Sequence, residues 1–213
     1  MGTKRARILI AEDHALVADG YVKILEPEYE VVGRVTDGHA LLREIGNRHP
    51  NVVIIDIAMP LLNGLDAAQQ IKRKMPDVKV VFVTMNDDAD LAAEAFRRGA
   101  SAYLPKTSAV EELLQAIHEV LNGRSYLSPA AAQGTLHSLL ANDREKECEP
   151  LTDRQREVLQ LLAEGQSMKE AANTLNMTDR TVAFHKYRIM KKLRLHSSAD
   201  LVRYAMRKHI IPG

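Results

Sequence analysis

The stretch Asn51–Pro60, N-V-V-I-I-D-I-A-M-P, decides the fold. Val52, Val53, Ile54 and Ile55 are four consecutive β-branched aliphatics without alternation, so they read as a strand buried on both faces in the centre of a parallel sheet. The run ends on a carboxylate, Asp56, and the Met59-Pro60 pair that follows forbids a straight continuation. A carboxylate at the C-terminal mouth of such a strand lies where open α/β sheets hold their ligands. A lone Asp after a strand more often only starts a turn, so the flanking sequence has to decide between the two readings.

Upstream, Arg7–Ala11 reads as a strand ending in Glu12-Asp13, followed by a helix from His14 to Leu25 with Leu16, Val17, Ile24 and Leu25 as its apolar positions. Glu30–Val35 is a second strand and Ala40–Arg48 a second helix. Downstream, Gly64 opens a helix carrying Leu65, Ala68 and Ile71. Lys79–Thr84 is the next strand, and Asp87, Asp88 and Asp90 suit the helix N-terminus after it. Ser101–Pro105 is a fifth, short strand. The last helix of the series runs from Ser108 to Leu121, with Ser108 as N-cap and Glu111 in the capping-box position. Five strands alternating with five helices predict a doubly wound five-stranded parallel sheet.

In that architecture all strand C-termini share one edge. Glu12, Asp13, Asp56, Thr84 and Lys106 therefore converge there. Three carboxylates in one crevice repel one another unless a cation sits among them. An all-oxygen set with few protein ligands suits Mg²⁺, which keeps waters and takes phosphate oxygens. Lys106 adds a point charge and Thr84 a hydroxyl, both suited to a phosphoryl group. An Asp carboxylate can itself accept that group.

Glu12-Asp13, the D-I-A-M-P of Asp56–Pro60 with Gly64 after it, Thr84, and the Y-L-P-K of Tyr103–Lys106 resemble the receiver domain of bacterial response regulators, a flavodoxin/CheY-like fold. The resemblance implies Asp56 as phospho-acceptor. It implies Asp13 and Asp56 as Mg²⁺ ligands, with Glu12 acting mainly through water and the Ala58 backbone carbonyl as a further ligand. It implies that Thr84 and Lys106 hold the phosphoryl oxygens and that Tyr103 is a switch aromatic, turning inward as Thr84 moves. Met85, beside Thr84, is bulkier than the small residue many receivers have there.

The chain has 213 residues, 46% hydrophobic and 27% charged, an ordinary globular balance for one large or two small domains. No apolar run approaches the roughly 18 residues needed to span a bilayer. The start of the sequence carries neither a signal-peptide core nor an acylation motif at Gly2. A single cysteine, Cys148, permits no intrachain disulfide and reads as inert, and the histidines show no ligand spacing. These features predict a cytoplasmic protein. Met1–Ser125 holds 15 basic and 18 acidic residues, whereas Glu149–Gly213 holds 12 and 7. An acidic first part joined to a basic last third points to different partners, with nucleic acid the candidate for the second.

The pattern breaks down after Gly123. Ser128-Pro129 could start a short helix, weakened by Gly134, and the charged run Asn142–Pro150 reads as exposed linker. The expected division is 1–124 for the first domain, 125–148 for the linker and 149–213 for a small all-α domain of four helices. Thr152 with Gln155 opens the first of these helices and Gly165 closes it. Ser167 caps the second, the third spans Asp179–Leu193, and the fourth spans Ser198–Arg207. Val182, His185, Ile189 and Leu193 form the buried stripe of the third helix.

Two short helices, a tight turn and a basic third helix make a helix-turn-helix pattern. The exposed face carries Arg180, Ala183, Phe184, Lys186, Tyr187, Arg188, Lys191 and Lys192. Its cations suit phosphates, while Phe184 and Tyr187 are shaped to pack on thymine methyls or sugar edges. The competing reading is that the two aromatics cover a neighbouring helix. L-T-D-R-Q-R-E-V-L-Q-L-L-A-E-G, T-V-A-F-H-K-Y-R-I-M-K-K-L and A-D-L-V-R-Y-A resemble the LuxR-type helix-turn-helix.

Together the two resemblances point to the NarL/FixJ family of response regulators. They imply base-facing positions at Ala183, Phe184 and Tyr187, phosphate contacts around Thr181, Lys186, Arg188 and Lys191, and a two-fold contact through Leu201, Val202 and Tyr204. A sensor histidine kinase, double-stranded DNA, a homodimer on DNA and RNA polymerase are the implied partners, with no membrane. Three alternatives compete with this reading. An aspartyl-nucleophile phosphatase would carry a second Asp where Ala58 stands. A flavodoxin-like cofactor binder would not place Glu12-Asp13 at its phosphate loop. A phosphorylation-independent DNA binder would use its receiver only for assembly.

Overall fold

The computed structural model describes residues 5–85, 88–132, 135 and 151–212. The chain divides into two compact units. The first is built from β1 (Arg7–Ala11), α1 (Ala15–Leu25), β2 (Glu30–Val35), α2 (Gly38–Arg48), β3 (Val52–Ile55), α3 (Gly64–Lys74), β4 (Lys79–Thr84), α4 (Ala89–Arg97), β5 (Ala102–Pro105), α5 (Val110–Leu121) and β6 (Tyr126–Leu127). The strands form one parallel sheet in the order β2-β1-β3-β4-β5-β6.

The continuous apolar runs follow from burial of both faces. Leu9, Val53, Ile55, Val80, Phe82 and Tyr103 face Leu41, Leu65, Ile71 and Leu91 of α2, α3 and α4. The alternate residues Ile8, Ile10, Val52, Ile54, Val81 and Leu104 face Leu25 of α1 and Leu113, Ile117 and Val120 of α5. A period of two thus sends neighbours to opposite layers.

The predicted sheet has five strands and the observed one has six. β6 lies in residues read from the sequence as linker. Tyr126 N–H bonds to Ser101 carbonyl at 3.0 Å and Ser128 N–H to Tyr103 carbonyl at 3.0 Å, covering the open edge of β5. Ser108 does not cap α5. The helix begins one residue later, after Ala109, and has no side-chain cap. α2, α3 and α4 are capped instead by Asp37, Asn63 and Asp88. Asp87, Gly134, Asn142–Pro150 and Cys148 lie outside the described residues.

The second unit holds α6 (Asp153–Ala163), α7 (Met168–Thr174), α8 (Asp179–Leu193) and α9 (Ser198–Arg207). Thr152 and Ser167 both close reciprocal capping boxes, with Gln155 and Glu170. Gly165 ends α6 at φ 93°, a left-handed conformation that glycine adopts without strain. Val158, Leu161, Ala172, Val182, Ile189 and Leu201 form the core. No helix among the described residues is long and apolar enough to cross a membrane.

Candidate functional site

The C-terminal edge of the sheet gathers the predicted acidic residues. Asp56 N–H continues the ladder past β3 to the Ala11 carbonyl at 2.9 Å, and Glu12 N–H bonds to Val35 carbonyl at 3.0 Å. These bonds fix both backbones beside one another. Asp56 is 3% exposed and Glu12 2%, with Asp13 half-buried at the rim. Lys106 Nζ bridges them, 2.8 Å from Asp56 Oδ2 and 2.7 Å from Glu12 Oε2. Burial alone would lower the Lys106 pKa, but the hydrogen bonds and charges of Asp56 and Glu12 outweigh it and hold the ammonium above its ordinary value.

Lys106 is anchored through its backbone as well, its N–H bonding to the Thr84 carbonyl at 2.6 Å. Thr84 is buried, and by register it shares its face of the sheet with Phe82 and Tyr103. Tyr103 is fully buried, turned inward. Met85 is instead 76% exposed and is not folded into the interior. Gly64 lets α3 start against the acidic strand end. A Cβ there would lie 2.2 Å from the Asp56 carbonyl oxygen and 2.8 Å from Ile55 Cγ2. Ala58 N–H reaches Asp56 Oδ1 at 3.2 Å, folding the loop back over the carboxylate.

One residue joins this site that the sequence reading passed over. His14 Nδ1 lies 2.9 Å from Asp13 Oδ1 and 3.1 Å from Glu12 Oε1. One ligand atom each from Glu12, Asp13, His14 and Asp56 falls within 4.8 Å of the others. Only the adjacency of His14 to the Glu-Asp pair signalled this. Tyr21 on α1 has its phenol pKa pushed up, first by burial and then by the charges of Glu12 and Asp56. No feature of the sequence marked it.

The donor set fits a hard divalent cation. It offers three carboxylates at the mouth of a buried crevice, two of them balanced at present by one ammonium.

The second candidate surface is α8. Thr178 caps it, accepting from Thr181 N–H at 3.2 Å, with the two hydroxyls 2.9 Å apart. Arg180, Ala183, Phe184, Tyr187, Arg188 and Lys191 are exposed along one face, while Thr181 and Lys186 are half-buried. Phe184 is 53% and Tyr187 65% exposed, so neither covers a neighbouring helix within the unit. Arg188 places its guanidinium 5.2 Å from the Phe184 ring centroid. Lys186 Nζ lies 3.4 Å from Ser198 Oγ. His185 is half-buried, its pKa lowered by burial and then by Arg154 and Arg188.

On α9, Leu201 is 2% exposed in the core of its own unit, whereas Val202 and Tyr204 are half-buried.

Comparison with known proteins bears on both surfaces. Residues 8–118 match the model of the response regulator receiver domain, and residues 149–205 match that of bacterial regulatory proteins of the luxR family. The oxygen regulatory protein NreC of Staphylococcus carnosus is 34% identical, over 96% of this chain and 99% of its own. The transcriptional regulatory protein MctR of Rhizobium johnstonii is also 34% identical, over 97% of this chain and 96% of its own. Among solved structures, RcsB of Salmonella enterica serovar Typhimurium, bound to promoter P1flhDC in the presence of the phosphomimetic BeF3⁻, matches with a TM-score of 0.60. It is 27% identical and covers 94% of this chain and 97% of its own.

Proposed function

Since this chain belongs to the NarL/FixJ family of response regulators, a two-component receiver followed by a LuxR-type DNA-binding domain for transcription regulation, we propose that Asp56 is its phospho-acceptor and that phosphorylation controls binding of α8 to DNA. The observation that carries this reading is the Asp56–Lys106–Glu12 cluster, three charged side chains buried at the sheet edge, with the Lys106 backbone held on the carbonyl of buried Thr84.

In the proposed step an Asp56 carboxylate oxygen attacks the phosphorus of a phosphohistidine on a partner kinase. The new O–P bond forms as the P–N bond breaks, and its electron pair leaves with the histidine nitrogen. Bound at Glu12, Asp13, Asp56 and the Ala58 carbonyl, Mg²⁺ would neutralise charge on the phosphoryl oxygens. Lys106 carries its point charge on a flexible stem, so it can follow the negative charge from the carboxylate to the phosphoryl group. Thr84 donates its hydroxyl to that group. Because Thr84 and Tyr103 share a face, a shift of one changes the space open to the other.

The receiver takes in the first unit through β6, with the DNA-binding domain from residue 149 onward. It promotes only its own phosphorylation and dephosphorylation. On DNA, Arg180, Lys186, Arg188 and Lys191 neutralise phosphates while Ala183, Phe184 and Tyr187 face the bases. Leu201, Val202 and Tyr204 are the candidates for a two-fold contact in a homodimer, which would act on RNA polymerase from the cytoplasm.

Incubation with acetyl phosphate and Mg²⁺ followed by peptide mass mapping tests the acceptor. Phosphate on the Asp56 peptide, lost in Asp56→Asn and without divalent cation, is the expected result. Equal labelling of Asp56→Asn overturns it.

A further inference from the structure

The face of α8 is not uniformly basic. Arg180 stands at its N-terminal end and Lys191 at its C-terminal end, and between them Ala183, Phe184 and Tyr187 lie beside Lys186 and Arg188. We propose that this middle section reads thymine through its C5-methyl group, so that the centre of each operator half-site is built on thymines. The proposal deepens the DNA-binding reading and rests on it.

In the major groove guanine offers two acceptors, adenine an acceptor and a donor, and cytosine a donor, whereas thymine alone projects an apolar group. Two-point recognition of guanine or adenine needs Arg, Lys, Asn or Gln. Ala183 and Phe184 have no polar side-chain atom, and Tyr187 has one hydroxyl. Pressing Phe184 against guanine, adenine or cytosine would strip water from their polar edges without replacing its hydrogen bonds, at a net cost. Against thymine it buries a methyl on an aromatic ring.

Phe184 is also held ready. The Arg188 guanidinium lies 5.2 Å from its ring centroid on one side, and the His185 ring meets it edge-on at 5.9 Å. An exposed aromatic already fixed in place loses less freedom on binding than a mobile one. The same contact leaves Arg188 engaged with the ring.

The test uses the full chain treated with acetyl phosphate. Selection from randomised duplexes yields the half-site, and each central thymine is then replaced by deoxyuridine, which removes the methyl and nothing else. Binding should weaken about fourfold at each thymine that faces Phe184 or Tyr187. Cytosine at those places should bind worse than 5-methylcytosine. Phe184→Ala should lose the deoxyuridine effect at one position while Phe184→Leu, with its apolar tip, keeps it. An enriched site that lacks central thymines, or whose thymines tolerate deoxyuridine without loss, overturns methyl reading while DNA binding stands. A pool in which nothing is enriched overturns the DNA-binding reading itself.

Discussion

Replacing Lys106 with Met tests the electrostatic core of the receiver. Met keeps most of the stem volume, so the change removes the ammonium rather than the packing. What it leaves is Asp56 and Glu12, 3% and 2% exposed, without the cation that now lies 2.8 and 2.7 Å from them. Breaking a buried pair by deleting one partner costs about 3–5 kcal/mol. The lower end, about 3 kcal/mol, applies because half-buried Asp13 opens the crevice to water.

In calorimetry with a chelator the receiver transition of Lys106→Met should fall by roughly 10–15 °C. Adding Mg²⁺ should narrow the gap, because the ion supplies the counter-charge that the variant lacks. The pH signature follows from the direction of the Lys106 shift. Its folded-state pKa lies above the ordinary 10.5, so its stabilisation is complete below that value and is lost as pH rises through the folded-state pKa. The gap between wild type and variant should therefore stay flat through neutral pH. A variant as stable as wild type in chelator at pH 7 would refute the claim that this ammonium neutralises the crevice.

Three further outcomes are expected. Gly64→Ala drives a methyl to 2.2 Å from the Asp56 carbonyl oxygen, a backbone atom that cannot step aside, so the receiver should lose about 1–3 kcal/mol by denaturant titration. Thr152→Ala removes the cap that accepts from Gln155 N–H at 3.2 Å and should lower the stability of the second unit by about 1 kcal/mol, leaving the receiver transition in place. Lys191→Ala should weaken binding evenly across DNA sequences and reduce the slope of log K against log salt by about 1.

The residues that declared themselves in sequence were those whose neighbours are local. The apolar runs of β1, β3 and β4 could only be buried on both faces. Once they were strands, topology carried Glu12, Asp56, Thr84 and Lys106 to one edge. Thr152, Ser167 and the stripe on α8 were legible for the same reason, because caps and helical faces are set within a few residues. β6 was not legible. It is two residues long, and only the backbone of β5, more than twenty positions earlier, makes it a strand. Ser108 and Glu111 satisfied a capping rule, but the chain enters α5 one residue late. Leu201 shows that an apolar helical position serves a domain core or a partner equally well in one dimension, and here it lies in the core. His14 was missed because its role depends on distances to Glu12 and Asp13, which the sequence alone does not give.

We propose that the charge on Asp56 governs what α8 does. The direct measurement is the affinity of the full chain for its selected operator at fixed salt, by fluorescence anisotropy, with and without acetyl phosphate and Mg²⁺. Wild type should bind tighter with the donor by about 5–150-fold, the range typical of coupling between two sites, and Asp56→Ala should not respond. Equal affinity of wild type with and without the donor, or an equal response in Asp56→Ala, would contradict the claim.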